Sequence, residues 1–279
     1  MRSRRKKGAV VRRTICALSL TCAVLLGVSL VSEMRKEKDS AASMARIQQR
    51  SAREAMAAEE AMAAEEDEEA ASMEALRSIR VSIGERGSGS RRVEALAQRN
   101  GDLVGWLTIP GTVVDYPVMY RAGDSDYYLS HDFYRKTDRN GLPVLDGRNS
   151  AGMEESNTII HGHNLKSGNL FGALMQYLDE SFLYENQEIL LDTLTESRQY
   201  EIIAVCITTA EGESDGYSFY DHLDLSDEAE FESFLGHAKA ASVHRIAATA
   251  IPGDELLTLS TCEYTKEDGR LVVIARRTR

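Results

Sequence analysis

Beyond residue 91 this sequence predicts a mainly β fold, a closed eight-stranded β-barrel with peripheral helices. Three observations carry that expectation. Eight short β-rich runs succeed one another between Gly105 and Arg276, separated by turn residues and long connections. Two helical patterns interrupt them. Upstream the composition changes sharply, with Ala, Glu, Met and Arg in place of β-branched residues.

The elements follow in chain order. Residues 1–13 carry seven Lys/Arg and no acid, although the whole chain has a net charge of −11. Residues 14–31 are 18 uncharged, mostly apolar positions. As a helix at about 1.5 Å per residue they reach about 27 Å, close to a hydrocarbon core of about 30 Å. No clear Ala-x-Ala cleavage site follows Val31, so an uncleaved transmembrane signal anchor is expected in place of a removed signal peptide. The basic cluster assigns residues 1–13 to the cytoplasm and the rest of the chain to the outside. Cys16 and Cys22 fall within the span and read as small apolar fillers.

Residues 32–90 are expected to form an acidic, Ala/Glu-rich helical stalk ending in a Gly/Ser hinge. The stretch 40–80 has no Gly or Pro, and Ala55-Met56-Ala57-Ala58-Glu59-Glu60 is repeated directly as residues 61–66. That favours helix, but a six-residue period fits neither a coiled-coil seam nor a broad apolar stripe. A solvated spacer holding the domain off the membrane is the reading. Gly84, Gly87 and Gly89 place the hinge over 82–90. A single folded domain is expected over 91–279, opening with a short helix at 91–99.

Strands are expected over 105–109, 113–118, 142–146, 158–162, 189–193, 200–209, 255–261 and 270–276, with helices over 170–178 and 226–242. The second helix carries Phe231, Phe234, Leu235 and Ala238 at the spacing of a core-facing stripe. Cys206 lies in the continuous apolar run Ile202 to Ile207 and reads as a buried free thiol. A disulfide with Cys262 is the alternative that an oxidising compartment permits.

The run Leu256-Leu257-Thr258-Leu259-Ser260-Thr261-Cys262 reads as a strand ending on a thiol, and Arg270 opens the next strand. Antiparallel pairing brings thiol and guanidinium to one end of a sheet. A fixed cation beside a thiol favours the nucleophilic thiolate, and it can steady an oxyanion on a carbonyl under attack. A core cysteine with a solvated arginine nearby is the plainer alternative. The run Asn157-Thr158-Ile159-Ile160-His161-Gly162-His163-Asn164 shifts the balance, because it presents a base at a third strand end. Cys, His and Arg so placed are the parts of a thiol acyl-transfer enzyme.

These motifs resemble those of the sortases, and within them class B. The resemblance rests on Thr258-Leu259-Ser260-Thr261-Cys262, Gly269-Arg270-Leu271-Val272-Val273 and Gly162-His163-Asn164. It also rests on the run from Asn100 to Ile109, on Asp115-Tyr116-Pro117-Val118 and on Tyr127-Tyr128-Leu129. It covers roughly residues 92–279, and the long helix between the sixth and seventh strands selects class B.

The resemblance implies that Cys262 attacks the threonine carbonyl of a C-terminal sorting signal of Asn-Pro-x-Thr type on a secreted protein. A thioester forms, and an amine of a peptidoglycan precursor or a pilin lysine resolves it. His163 protonates the leaving amine and deprotonates the incoming one, while Arg270 orients substrate and stabilises the oxyanion. Ser260, Thr261, Glu263 and Tyr217 are the implied substrate-groove residues, and Tyr217 reads equally as an anchor of its loop. His161 departs from the family pattern, which has an aromatic or aliphatic residue there.

No cofactor or metal is implied, since zinc at His161 and His163 needs further ligands that no nearby spacing supplies. His131, His222, His237 and His244 read as surface or packing residues. No basic patch with interleaved aromatics points to nucleic acid. A thiol endopeptidase using water would share the triad. A catalytically silent extracellular binding module on the same fold is the alternative of another class, and the intact Cys262, His163 and Arg270 argue against it.

The anchor reading has a direct outcome. The full chain is expected to sediment with membranes and to resist extraction by high salt, whereas a chain lacking residues 1–31 is expected in the soluble fraction.

Overall fold

Alternating and continuous runs of Val, Ile and Leu close into one sheet in the computed structural model, which describes residues 35, 38–39, 41–54, 56, 88–212 and 217–279. Its strands are β1 (Leu103–Thr108), β2 (Asp115–Met119), β3 (Val144–Leu145), β4 (Asn157–His161), β5 (Glu188–Thr193), β6 (Ser197–Thr209), β7 (Leu256–Cys262) and β8 (Gly269–Arg277). They form a closed barrel in the order β1-β2-β3-β4-β7-β8-β6-β5. Closure leaves no unpaired sheet edge. Each expected strand is present, with β3 reduced to two residues.

Helices that pack around the barrel include α1 (Ser88–Ala97), α2 (Glu180–Glu185) and α3 (Glu228–Ala241). Helix α1 begins inside the segment expected to be a hinge, so residues 88–90 are helical. It buries Val93 and Leu96 and sets the Arg92 guanidinium 4.5 Å over the Trp106 ring. The helix expected at 170–178 is a 3-10 helix, Phe171–Leu178, and α2 follows directly. The break comes at Asp179, whose extended backbone and side-chain bonds to the Ser181 and Phe182 amides start a new helix.

Helix α3 is capped by the Asp227 side chain and buries Phe231, Phe234 and Ala238. Near its C-terminus the Lys239 ammonium donates to the Ile203, Ile246 and Ala248 carbonyls, and burial lowers its pKa. Cys206 is fully buried beneath this helix and forms no disulfide, with its sulfur donating to the Ala238 carbonyl.

The chain divides into two compact units, residues 1–47 and 48–279. The described part of the first unit is helical at residues 41–47. The cytoplasmic segment expected at 1–13 and the span expected at 14–31 lie outside the described residues. Among the described residues no helix is long and apolar enough to cross a membrane.

Within the stretch expected as a stalk, residues 48–54 group with the barrel's unit. Gln48 Nε2 donates to the Asp115 carbonyl at 2.7 Å, and Glu54 pairs with Arg99 at 2.6 Å. Polar side chains that a free spacer would turn to water are bonded to the domain here. Most of the repeat lies outside the described residues.

Gly162 closes β4 against the core. A Cβ there would sit 2.7 Å from the ring of Phe171, which is fully buried. Gly162→Ala is therefore expected to destabilise the fold by about 1–3 kcal/mol through overpacking, measured by urea denaturation.

Candidate active site

The site is assembled by β4 and β7, which pair in parallel from Asn157↔Leu256 to His161↔Ser260. Buried polar side chains fix this register. Asn157 Oδ1 accepts from the Thr258 hydroxyl at 2.9 Å, and its Nδ2 donates to the His222 carbonyl at 2.8 Å. Past the strand end the pairing continues: Gly162 N donates to the Ser260 carbonyl at 3.1 Å and Asn164 Nδ2 to the Cys262 carbonyl at 2.8 Å. Continued by two residues, the register brings His163 level with Cys262. Strands β7 and β8 then pair antiparallel, with Cys262 opposite Arg270.

The His163 ring is held by its Nε2, 2.9 Å from the Leu129 carbonyl. A carbonyl only accepts, so Nε2 carries the proton and Nδ1 is the nitrogen free to exchange one. Leu129 is fixed in turn by a polar cluster. Tyr128 donates its hydroxyl to Asp102 at 2.7 Å and accepts from Asn100 Nδ2 at 2.8 Å, while Arg135 bonds both Asn100 and Asp102. Burial pushes the Tyr128 phenol up from its ordinary pKa. The motifs Asn100-Gly101-Asp102 and Tyr127-Tyr128-Leu129 thus meet in one network that positions the histidine.

Arg270 Nη1 donates to the Asp268 and Gly269 carbonyls at 3.1 and 2.9 Å. Among the described residues no carboxylate pairs with it. Its side chain lines a cleft of about 480 Å³ together with Arg148, His161, Ser218 and Tyr220. Cys262 is half-buried and free. Among the described residues no group of three His, Cys, Asp or Glu is arranged to hold a metal ion.

Of the four residues expected at the groove, three have buried side chains. Ser260, Thr261 and Glu263 are only 2, 2 and 4% exposed. The Ser260 hydroxyl bonds the Tyr220 hydroxyl at 2.7 Å, and Thr261 donates to the Gly162 carbonyl at 2.8 Å. The Glu263 carboxylate accepts from the Thr265 amide and hydroxyl at 3.0 and 2.6 Å. These side chains brace the cysteine strand from within. Tyr217 stacks on His237 at 3.7 Å and on His222 at 4.9 Å, which anchors its loop.

Two residues the sequence reading passed over, Asp146 and Arg148, lie beside His161. Asp146 lies just after β3 and accepts from His161 Nε2 at 2.9 Å and from Arg148 Nε and Nη2, each at 2.9 Å. Burial alone would raise its pKa, but the hydrogen bonds from Arg148 and His161 outweigh it and hold the carboxyl well below the usual range. Cross-sheet pairing of Leu145 with Ile160 makes this contact.

A family model described as Sortase domain matches residues 107–278. Sortase B of Listeria monocytogenes is 36% identical over 180 residues, covering 64% of this chain and 70% of that protein. Sortase B of Staphylococcus aureus is 31% identical over 185 residues, 66% of this chain and 73% of that protein. The solved Staphylococcus aureus sortase B–substrate complex superimposes with a TM-score of 0.61 at 29% identity, covering 70% of this chain and 87% of that one. Sortase B from B. anthracis, in complex with AAEK1, gives 0.60 at 34% identity over 70% of this chain and 88% of that one.

Because the folded-state pKa of Asp146 is depressed, its contribution to stability is complete above the ordinary carboxylate range of about 3.9 and is lost as pH falls below it. Asp146→Asn is expected to lower stability by about 1–3 kcal/mol at neutral pH. The gap to the wild type should narrow towards about pH 3, followed by urea denaturation across pH.

Proposed function

The chain belongs to the sortase family, class B, whose members are cysteine transpeptidases, and we propose that this one is a membrane-anchored transpeptidase using Cys262, His163 and Arg270. The observation that carries the reading is the shared level of the three residues. Cys262 and Arg270 are register partners across β7 and β8, and Asn164 ties the His163 segment to the Cys262 carbonyl.

In the proposed reaction the Cys262 thiolate adds to the threonine carbonyl of an Asn-Pro-x-Thr-like signal on a secreted protein. The carbon–sulfur bond forms and the carbonyl electrons move onto oxygen. Free N–H groups of Arg270 donate to that oxyanion, where a fixed donor is most effective. As the tetrahedral species collapses, the C–N bond breaks and protonated His163 gives its Nδ1 proton to the leaving amine. The acceptor amine, from a peptidoglycan precursor or a pilin lysine, then adds to the thioester. Its proton returns to His163 and the sulfur departs as thiolate.

Residues 14–31 supply the anchor in this reading, with residues 1–13 cytoplasmic and the catalytic domain, 91–279, outside. The groove residues of the cysteine strand act by bracing it. The substrate contacts fall to the cleft-lining side chains.

Full chain in detergent, incubated with an Asn-Pro-x-Thr peptide and a candidate amine, is expected to show by intact mass an adduct on Cys262 that resolves into an amide-linked product. Cys262→Ala should form no adduct, and Arg270→Ala should lower kcat by about 100- to 1,000-fold. Hydrolysed product alone, whatever amine is offered, would replace transpeptidation with endopeptidase activity. A thiol that no peptide acylates would leave a silent binding module.

A further inference from the structure

Residues 48–54 are helical and turn one face to the barrel. Ser51 is fully buried and Gln48 and Glu54 are half-buried, while Gln49, Arg50, Ala52 and Arg53 are exposed. A spacing of three residues is that of neighbours on one side of a helix. The small Ser51 side chain lets the helix backbone approach the domain closely.

The two ends of this face hold different elements. Gln48 Nε2 donates to the Asp115 carbonyl at 2.7 Å, where β2 begins. Asp115 is itself tied to β1, its carboxylate accepting from the Trp106 indole N–H at 2.6 Å and from the Thr108 hydroxyl at 3.1 Å. Glu54 Oε1 accepts from Arg99 Nη2 at 2.6 Å, just past α1, and from Arg50 Nε at 3.2 Å. Anchors six residues apart, about 9 Å along a helix, fix direction as well as position.

We propose that α1, β1 and β2 form a docking seat for residues 48–54, and that this dock makes residues 32–47 the whole tether between membrane and catalytic domain. The inference rests on the anchor at 14–31 proposed above and sets its working distance. The chain leaves the domain after Glu54 and is back on it at Ser88, where α1 starts. Both points belong to the barrel's unit, so the length of chain between them adds nothing to the reach.

The difference in reach is large. The 16 residues 32–47 measure about 24 Å as helix and at most about 55 Å fully extended. An undocked spacer over 32–87 would measure about 84 Å as helix. The docked enzyme therefore works on a short leash, on donors and acceptors presented close to the bilayer.

The test puts the full chain, with a donor dye attached after Arg279, into liposomes carrying an acceptor-labelled lipid and reads energy transfer to the bilayer. Deleting residues 33–40 shortens the tether by about 12 Å as helix and should raise transfer. Deleting residues 59–66, the same length, should leave it at the wild-type value. Ser51→Arg cannot fit at a fully buried position, so with Gln48→Ala it should undock the segment. Transfer then falls, trypsin cleavage after Arg50 and Arg53 speeds up, and the 59–66 deletion now raises transfer. An unchanged melting temperature of the barrel is the control for folding. Equal responses to the two deletions in the otherwise wild-type chain overturn the inference, as does a double variant that behaves like the wild type. Failure of the full chain to float with liposomes removes the anchor reading and the tether with it. Absence of an acyl-enzyme in the same samples removes the transpeptidase reading and leaves the tether standing.

Discussion

The parallel pairing of β4 with β7 is the constraint on which the site depends. It joins segments about a hundred residues apart, and only one register places His163 level with Cys262. A slip of one residue would turn each side chain of the strand to the opposite face. The polar pair Asn157–Thr258, buried between the strands, penalises such a slip because each partner would lose its bond inside the core. Gly162 extends the pairing past the strand end, where the Phe171 ring leaves no room for a side chain.

From that seam the chemistry spreads outward through backbone groups more than through charges. His163 is oriented by the Leu129 carbonyl, which is itself placed by the Asn100, Asp102 and Tyr128 cluster. Arg270 is steadied by two carbonyls at one nitrogen, leaving its remaining N–H groups for the cleft. A carboxylate partner would compete with a developing oxyanion for those donors; a carbonyl clamp holds the guanidinium without neutralising it.

Much of this was readable from residue order. Strand positions follow from runs such as Ile202 to Ile207 and Leu256 to Leu259, and the α3 stripe of Phe231, Phe234 and Ala238 from its spacing. Cys262 and Arg270 could be placed together because a short turn joins their strands. Asp146 could not, because it reaches His161 through a sheet neighbour and not through a sequence neighbour. The facing of Ser260, Thr261 and Glu263 was equally hidden. Adjacency to the cysteine suggests a groove, but Tyr220, Gly162 and Thr265 draw those side chains inward. The docking of residues 48–54 was masked by an Ala- and Glu-rich composition that reads as solvated helix whether or not it packs.

The order of strands also has a consequence for timing. The last strand of the chain, β8, lies between β7 and β6, so the barrel cannot close until the C-terminal residues are available. Pairings of such long sequence separation are late events in folding, since loop closure must precede them. During synthesis the cysteine strand exists before β8, the neighbour that carries its arginine partner. A nascent chain therefore carries the Cys262 thiol before Arg270 can stand opposite it, and the two share one level only once β8 has entered the barrel.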